Sequence, residues 1–414
     1  MVEDFVSSFS PRSQLGFEPL AQPLFHHALV IQVPGAGQAL DPGQHPRINA
    51  ERNRHRLRRL GARHGAGRAS LSDGRAAYYL GNLYYDKKQY AKAIDAWQAA
   101  TRLEPVLSIP WRNLGIALYN KRGDKSEAKH CYEQALQANP DDPRLPMEMD
   151  QLLQRLGKSQ AERLSELERR INLVERRDDL SMTLAELYSQ TGQPEKALAI
   201  LSSRHFHAWE GGEGGAAGQY ALAQVALGMS AEKQGDLVKA LSCYKAAQNP
   251  PENLGVGRGM SPYDVLAWYR TAAALSRMDK TNDAGDYYRK IIEAETGASL
   301  WGGQTPLTFY AALSLRALGR DDDAREKLLS FRSFAQKQLE GDVEGSFYTS
   351  KPAMIVFDDD PKMVNQVLGH YLLGLAHMGL GDTTEAETSF RSVLDLDPHH
   401  WWVKLQLEEL KERR

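Results

Sequence analysis

From Ala77 onward, apolar and small residues recur at spacings of three and four, in paired segments joined by short polar turns. Leu80 and Tyr84 are four apart and share one helical face. Asp86-Lys87-Lys88-Gln89 reads as a turn, and Ala93, Trp97 and Ala100 mark the inner face of a second helix. Pro105 ends that helix, because proline cannot continue the hydrogen-bond ladder. The same pattern returns 34 residues later, where Leu114-Gly115 repeats Leu80-Gly81. The second copy runs from Trp111 to Pro140 and carries one extra residue in its turn. Looser copies follow around Leu184, Leu227, Trp268 and Ala312, and a good one begins at Leu373. Pro146 to Val174 reads as a degenerate hairpin with its turn at Gly157. Each hairpin buries one side only and needs a neighbour on the other. The pattern therefore predicts an all-α solenoid of about seven to eight helical hairpins. Trp402, Leu405 and Leu410 sit at helical spacing near the C-terminus and predict a capping helix that shields the last hairpin.

Leu80, Gly81, Tyr84, Ala93, Trp97, Ala100 and Pro105 resemble the tetratricopeptide repeat family, as do Trp111, Leu114, Gly115, Ala128, Tyr132, Ala135 and Pro140. The resemblance extends from about Gly74 to Pro398. It implies a right-handed superhelix acting as a non-catalytic scaffold for protein–protein or domain–domain interaction. It further implies a concave groove lined by first helices, with Tyr78, Asn82, Tyr85, Arg112, Asn113 and Asn120 as candidate lining residues. Chaperone-binding members grip a C-terminal carboxylate with lysines, asparagines and arginine. Asn82 and Asn113 match two of those asparagines, but Tyr78 stands where the first lysine would be. A co-chaperone-like peptide receptor is accordingly a weaker alternative.

Four long connections interrupt the repeat: His205 to Gln219, Asn249 to Tyr263, Thr296 to Pro306 and roughly Gly341 to Met363. Each joins one hairpin to the next, so all should leave from one rim, and insertions on one face of a solenoid often mark its binding side. They carry Trp209, Trp301, Phe347 and Tyr348 on glycine-rich sequence suited to a partner or a sugar ring. The alternative is that they fold back over their own hairpins. His205 to Gly215 offers His205, His207, Trp209, Glu210 and Glu213. A zinc site would need a third ligand that is not obvious, and an acid/base pair would need a fixed carboxylate separation. Completing a site on another domain, or capping with Phe206 and Trp209 tucked against the stack, are the other readings. Asp358-Asp359-Asp360-Pro361 reads as a helix start.

Composition narrows the classes. The chain has 414 residues, 42% hydrophobic and 25% charged, with a net charge of −2. That balance argues against a general nucleic-acid binder, and no apolar run approaches a bilayer span. Cys131 and Cys243 are the only cysteines and read as buried reduced thiols, which favours a cytoplasmic location. Nucleophile-elbow, phosphate-loop, paired-histidine and Cys-x-x-Cys signatures are missing, and no metal or cofactor is expected. Residues 1–72 fall outside the repeat, lack lysine, and place eight arginines between Arg47 and Arg68. They read as a disordered or non-native segment, with an early hairpin, an arginine-rich binding segment and an organelle presequence as alternatives. ALVIQVPGAGQAL mimics a phosphate loop, but Leu40 replaces the third glycine and Pro42 and Pro46 prevent the following helix.

A narrower resemblance rests on WRNLG, LPMEMDQLLQRLG, HFHAWEGGEG, PPENLG and IVFDDDP in that order. The set is similar to the helical tail of a family of long bacterial and fungal proteins with a β-rich, carbohydrate-active-like front half. The match covers about Ala77 to the C-terminus, within a solenoid expected over residues 73–414, and implies that the rim faces such a half. The partner would then be a protein or that missing β-rich domain, with carbohydrate as a further candidate. The runner-up function is thus an accessory module contributing rim-loop residues to a sugar site.

Overall fold

The computed structural model describes residues 73–207, 214–255, 262–299, 304–341 and 356–412. Eight helical hairpins follow one another, and no strand occurs among the described residues. Hairpin 1 is α1 (Gly74–Asp86) with α2 (Tyr90–Leu103), and hairpin 2 is α3 (Ser108–Ala117) with α4 (Lys125–Ala138). Hairpin 3 is α5 (Arg144–Arg155) with α6 (Gln160–Glu168), followed by the short α7 (Ile171–Val174). Hairpin 4 is α8 (Asp178–Gln190) with α9 (Pro194–Ser202), and hairpin 5 is α10 (Gly215–Lys233) with α11 (Leu237–Ala246). Hairpin 6 is α12 (Pro262–Arg277) with α13 (Thr281–Ser299), and hairpin 7 is α14 (Pro306–Ala317) with α15 (Asp321–Glu340). Hairpin 8 is α16 (Pro361–Leu380) with α17 (Thr383–Leu396), and α18 (Trp401–Glu412) closes the series.

Two local devices recur, the first in hairpins 1, 2, 5 and 8 and the second in every hairpin. The first is a small residue on the first helix facing an aromatic on the second. A Cβ added to Gly81 would lie 2.4 Å from the Trp97 ring, one on Gly228 2.3 Å from Tyr244, and one on Gly374 2.4 Å from Phe390. The second device is the turn. Every hairpin turn contains one left-handed residue: Gly123, Gly157, Gly192, Gly235, Gly319 and Gly381, with Lys88 and Asp279 serving in hairpins 1 and 6. Starts are marked chemically. Ser159 and Glu162 form a reciprocal capping box at α6, and Pro194, Pro306 and Pro361 open their helices.

Hairpins stack through both helices. The first helices α8, α10, α12, α14 and α16 touch in succession and form the inner layer of the stack. Cys131 is fully buried and its thiol is pushed up to about 12, chiefly by burial, while Cys243 is half-buried. No described helix is long and apolar enough to cross a membrane.

The stack curls back on itself. The Gln160 side-chain amide donates to the His399 carbonyl at 2.5 Å, and His399 Nε2 lies 2.9 Å from the Gly157 carbonyl. The end of hairpin 8 therefore meets the turn of hairpin 3. Helix α18 departs from the expected simple cap for the same reason. It packs on α17, but it also runs along the inner layer. Trp402 stacks on Tyr263 at 5.3 Å and 20°, His400 packs against Tyr371, and Arg270 pairs with Glu409. A curled stack leaves a concave apolar surface, and the amphipathic α18 buries its Val403, Leu405 and Leu410 there.

Candidate functional site

The extra residue in the second repeat is absorbed by a π-helical turn, Leu118–Arg122, at the end of α3. A π turn widens the helix and shifts side chains off the α register, and such turns often lie at functional sites. Here it carries Tyr119, Asn120 and Lys121, and all three contact a segment more than 230 residues later in sequence. That segment, Val356–Asp360, is the described end of the last insertion.

The contacts read the segment at three levels. Asn120 uses both ends of its amide on the main chain: Nδ2 donates to the Val356 carbonyl at 2.8 Å, and Oδ1 accepts from the Asp358 N–H at 2.8 Å. These two groups flank one residue, at which the main chain bends. The residue between them, Phe357, turns inward and is fully buried. Its ring lies 5.1 Å from Tyr119, edge-on, and 5.5 Å from Tyr132. Two cations then take the acids. Lys121 Nζ lies 3.2 Å from Asp358 and Arg155 Nη2 lies 2.9 Å from Asp359. Asp360 accepts from Lys362 N and ends the segment as the cap of α16, as the helix-start reading expects.

Electrostatics support the pairing. Burial works against the Lys121 ammonium, but the hydrogen bond and charge of Asp358 outweigh it, and its pKa is raised. Burial pushes the Tyr119 and Tyr85 phenols up, and that of Tyr132 well up. The phenol walls thus stay neutral and Lys121 charged at ordinary pH.

Behind Tyr132 runs a hydrogen-bonded chain through three hairpins. Tyr132 OH donates to Glu148, which also receives a two-pronged contact from Arg112, with Nε at 2.6 Å. Arg112 Nη1 donates to Asn113 Oδ1, and Asn113 Nδ2 donates to Asn82 Oδ1 at 3.1 Å. Asn82 Oδ1 also accepts from the Trp97 indole, which lies 3.2 Å from the Tyr78 carbonyl. Glu148 is almost fully buried, so this charge depends on its partners.

The six groove residues expected from sequence therefore divide. Asn120 touches the segment directly. Asn82, Arg112 and Asn113 hold the wall from behind, with Tyr78 contributing its carbonyl. Tyr85 packs on Tyr90 and Trp97 beside Lys121, whose Nζ lies 5.2 Å from the Tyr90 ring centre. Sequence reasoning missed Tyr119, Lys121, Tyr132 and Arg155 as a binding set. The available signal was the extra turn residue together with the apolar–aromatic–acidic order of IVFDDDP.

The rim residues fare differently. Trp209, Glu210, Glu213, Trp301, Phe347 and Tyr348 lie outside the described residues. His205 is exposed beside a cleft of about 460 Å³ that Ser181, Leu184 and Arg204 help to line. His207 is exposed, with its N–H and Nδ1 on Asp178, which also pairs with Arg204. Phe206 is buried, and its N–H donates to the Asn253 carbonyl at 2.8 Å. The described ends of the first two insertions thus meet on one edge, with Phe206 tucked in as capping requires. The described end of the last insertion crosses to hairpins 2 and 3. No three His, Cys, Asp or Glu side chains are grouped to hold a metal among the described residues.

Family models match three segments of the chain. Residues 81–121 match a model described as TPR repeat, and residues 113–142 and 367–400 match models described as tetratricopeptide repeat. The chain carries tetratricopeptide repeats. The matched segments fall on hairpins 1, 2 and 8. Solved structures similar to the chain include a tetratricopeptide repeat protein from Parabacteroides merdae, at 13% identity and a TM-score of 0.39, covering 82% of this chain and 98% of that one. Another is YrrB, described as a TPR protein with an unusual peptide-binding site, at 18% identity and a TM-score of 0.33, covering 43% of this chain and 86% of that one.

Proposed function

We propose that the chain is a non-catalytic scaffold that holds partner segments against the face of hairpins 2 and 3 that Asn120 and Tyr132 line. The supporting observation is Asn120, whose amide grips a main-chain carbonyl and N–H on either side of one buried residue. Such contacts bind any sequence by its backbone, while neighbouring pockets supply selectivity. The repeat matches over residues 81–142 support the same reading, because proteins of this kind present surfaces rather than reaction centres. Peptide display against the full chain, with Phe357→Ala to vacate the face, tests it. Enriched peptides should lose binding on Asn120→Ala. Enrichment indifferent to Asn120, or no enrichment, would refute this location.

The resemblance to helical tails of longer proteins supports a second reading, in which the rim beside His205 docks a β-rich domain. The cleft of about 460 Å³ at that rim favours it. Crosslinks from a reactive group placed at His205 should then reach a β-rich domain in the native host, and none from the opposite edge. A cytoplasmic working location belongs to the first reading and is checked by fractionation of the native host.

A further inference from the structure

The connection between hairpins 7 and 8 is far longer than its geometry requires. The end of α15 and the start of α16 pack directly, with Asn365 Nδ2 donating to the Gln338 carbonyl at 2.8 Å. Helix–helix connections of roughly 2 to 8 residues are usual, whereas residues 341–360 lie between Glu340 and Pro361. The connection's described end crosses to hairpins 2 and 3 and inserts Phe357 into the hydrophobic core that hairpins 1 and 2 share with α5. Each position of Val356-Phe357-Asp358-Asp359 meets a matching group: the Asn120 amide for the main chain, Tyr119 and Tyr132 for the ring, Lys121 and Arg155 for the two acids. A loop that merely covers a surface has no need of a bidentate backbone grip, an aromatic slot and a cation for each carboxylate in register.

We propose that Val356–Asp359 is a tethered internal ligand of this scaffold, and that the face it occupies receives a partner protein's segment of the same chemistry: an aromatic residue followed at once by two acids. The inference rests on the proposed binding face and adds its specificity and its control. The partner must displace the internal copy. A tethered ligand acts at an effective concentration on the order of 1 mM. For a free peptide of ~10 μM intrinsic affinity, that competition weakens apparent binding about 100-fold. The scaffold is therefore closed by default and opens to partners that are abundant, multivalent or aided by release of the segment.

The test uses the full chain and a fluorescent synthetic peptide, MIVFDDDP, with blocked ends. Fluorescence anisotropy compares the wild type with an opened variant carrying Phe357→Ala, Asp358→Ala and Asp359→Ala. The opened variant should bind the peptide about 100-fold more tightly than the wild type. Adding Asn120→Ala to it should weaken binding at least ~10-fold, consistent with loss of a two-pronged backbone contact. A peptide with both central acids changed to lysine should not bind. Circular dichroism checks that the opened variant keeps its helix content. If it does not, the charge-reversed variant Asp358→Lys with Asp359→Lys replaces it and must show the same gain. Equal binding by wild type and a folded opened variant overturns the proposal, as does a folded opened variant that ignores the peptide. If that variant still enriches other peptides through Asn120, the motif is wrong and the scaffold reading stands. If it enriches none, both fall. A wild-type dimer that exchanges this segment between copies also overturns the intramolecular assignment.

Discussion

Replacing Phe357 by alanine separates a docked ligand from an ordinary core residue. The wild-type ring is fully buried between Tyr119 and Tyr132. Burying a phenylalanine contributes about 1.5–3 kcal/mol, and its aromatic neighbours add roughly 0.5–1.5 kcal/mol. The two Asn120 hydrogen bonds contribute about 1 kcal/mol each. The partly exposed Lys121–Asp358 and Arg155–Asp359 pairs contribute about 0.5 kcal/mol each. These sum to roughly 5–7.5 kcal/mol, against about 4–8 kcal/mol for ordering four backbone residues. Gain and cost balance to within a few kcal/mol, so loss of the ring contribution of about 2–4.5 kcal/mol releases the segment. Hydrogen exchange reads the outcome at the Asp358 amide. Protection there in the wild type should vanish in Phe357→Ala. Helices α3 and α4 should keep their protection, and the melting temperature should fall by no more than a few degrees. Loss of protection spreading through α3 and α4 would refute the reasoning, because Phe357 would then be a structural part of hairpin 2.

Three further outcomes follow from the same coordinates. Glu148→Gln leaves Arg112 without its buried counter-charge and should cost about 3–5 kcal/mol, read as a lower urea midpoint; an unchanged midpoint would mean water replaces the carboxylate. Gly228→Ala places a methyl group against the Tyr244 ring and should destabilise by about 1–3 kcal/mol, offset by up to ~1 kcal/mol of helix propensity, and a more stable protein in thermal melts would contradict the packing argument. His400 caps α18 by accepting from Val403 N, and burial pushes its pKa down to about 4. The folded state then binds fewer protons than the unfolded state between about pH 4 and 6.5, so stability is retained above pH 6.5 and falls as pH drops towards 4. The loss totals roughly 3 kcal/mol, and His400→Asn should remove that part of the pH dependence in urea titrations while keeping a capping acceptor.

Much of the fold was legible because its causes are local. The Gly81–Trp97 contact follows from positions 16 apart in one hairpin, and the turn glycines announce themselves by sequence. The degenerate third hairpin is legible from Pro146 to Val174 with its turn at Gly157, and Ser159 and Glu162 spell the capping box of α6. Candidate site residues were less legible. Asn120 was named as groove-lining without its partner. Asn82, Arg112 and Asn113 were placed on a binding surface, whereas buried polar groups must find partners and these found each other and Glu148. Lys121 and Arg155 looked like any exposed cations, since nothing in their spacing points to Asp358 and Asp359.

The sequence by itself determined that helices pair, where each pair turns, and which face of each is apolar, because those depend on contacts within about one repeat length. Only the tertiary structure decided that the concave surface is already filled. The curl of the stack accumulates from small rotations at every hairpin interface, each set by side-chain packing rather than by period. That sum brings His399 to Gly157, lays α18 along the inner layer, and delivers Phe357 to Tyr119 and Tyr132.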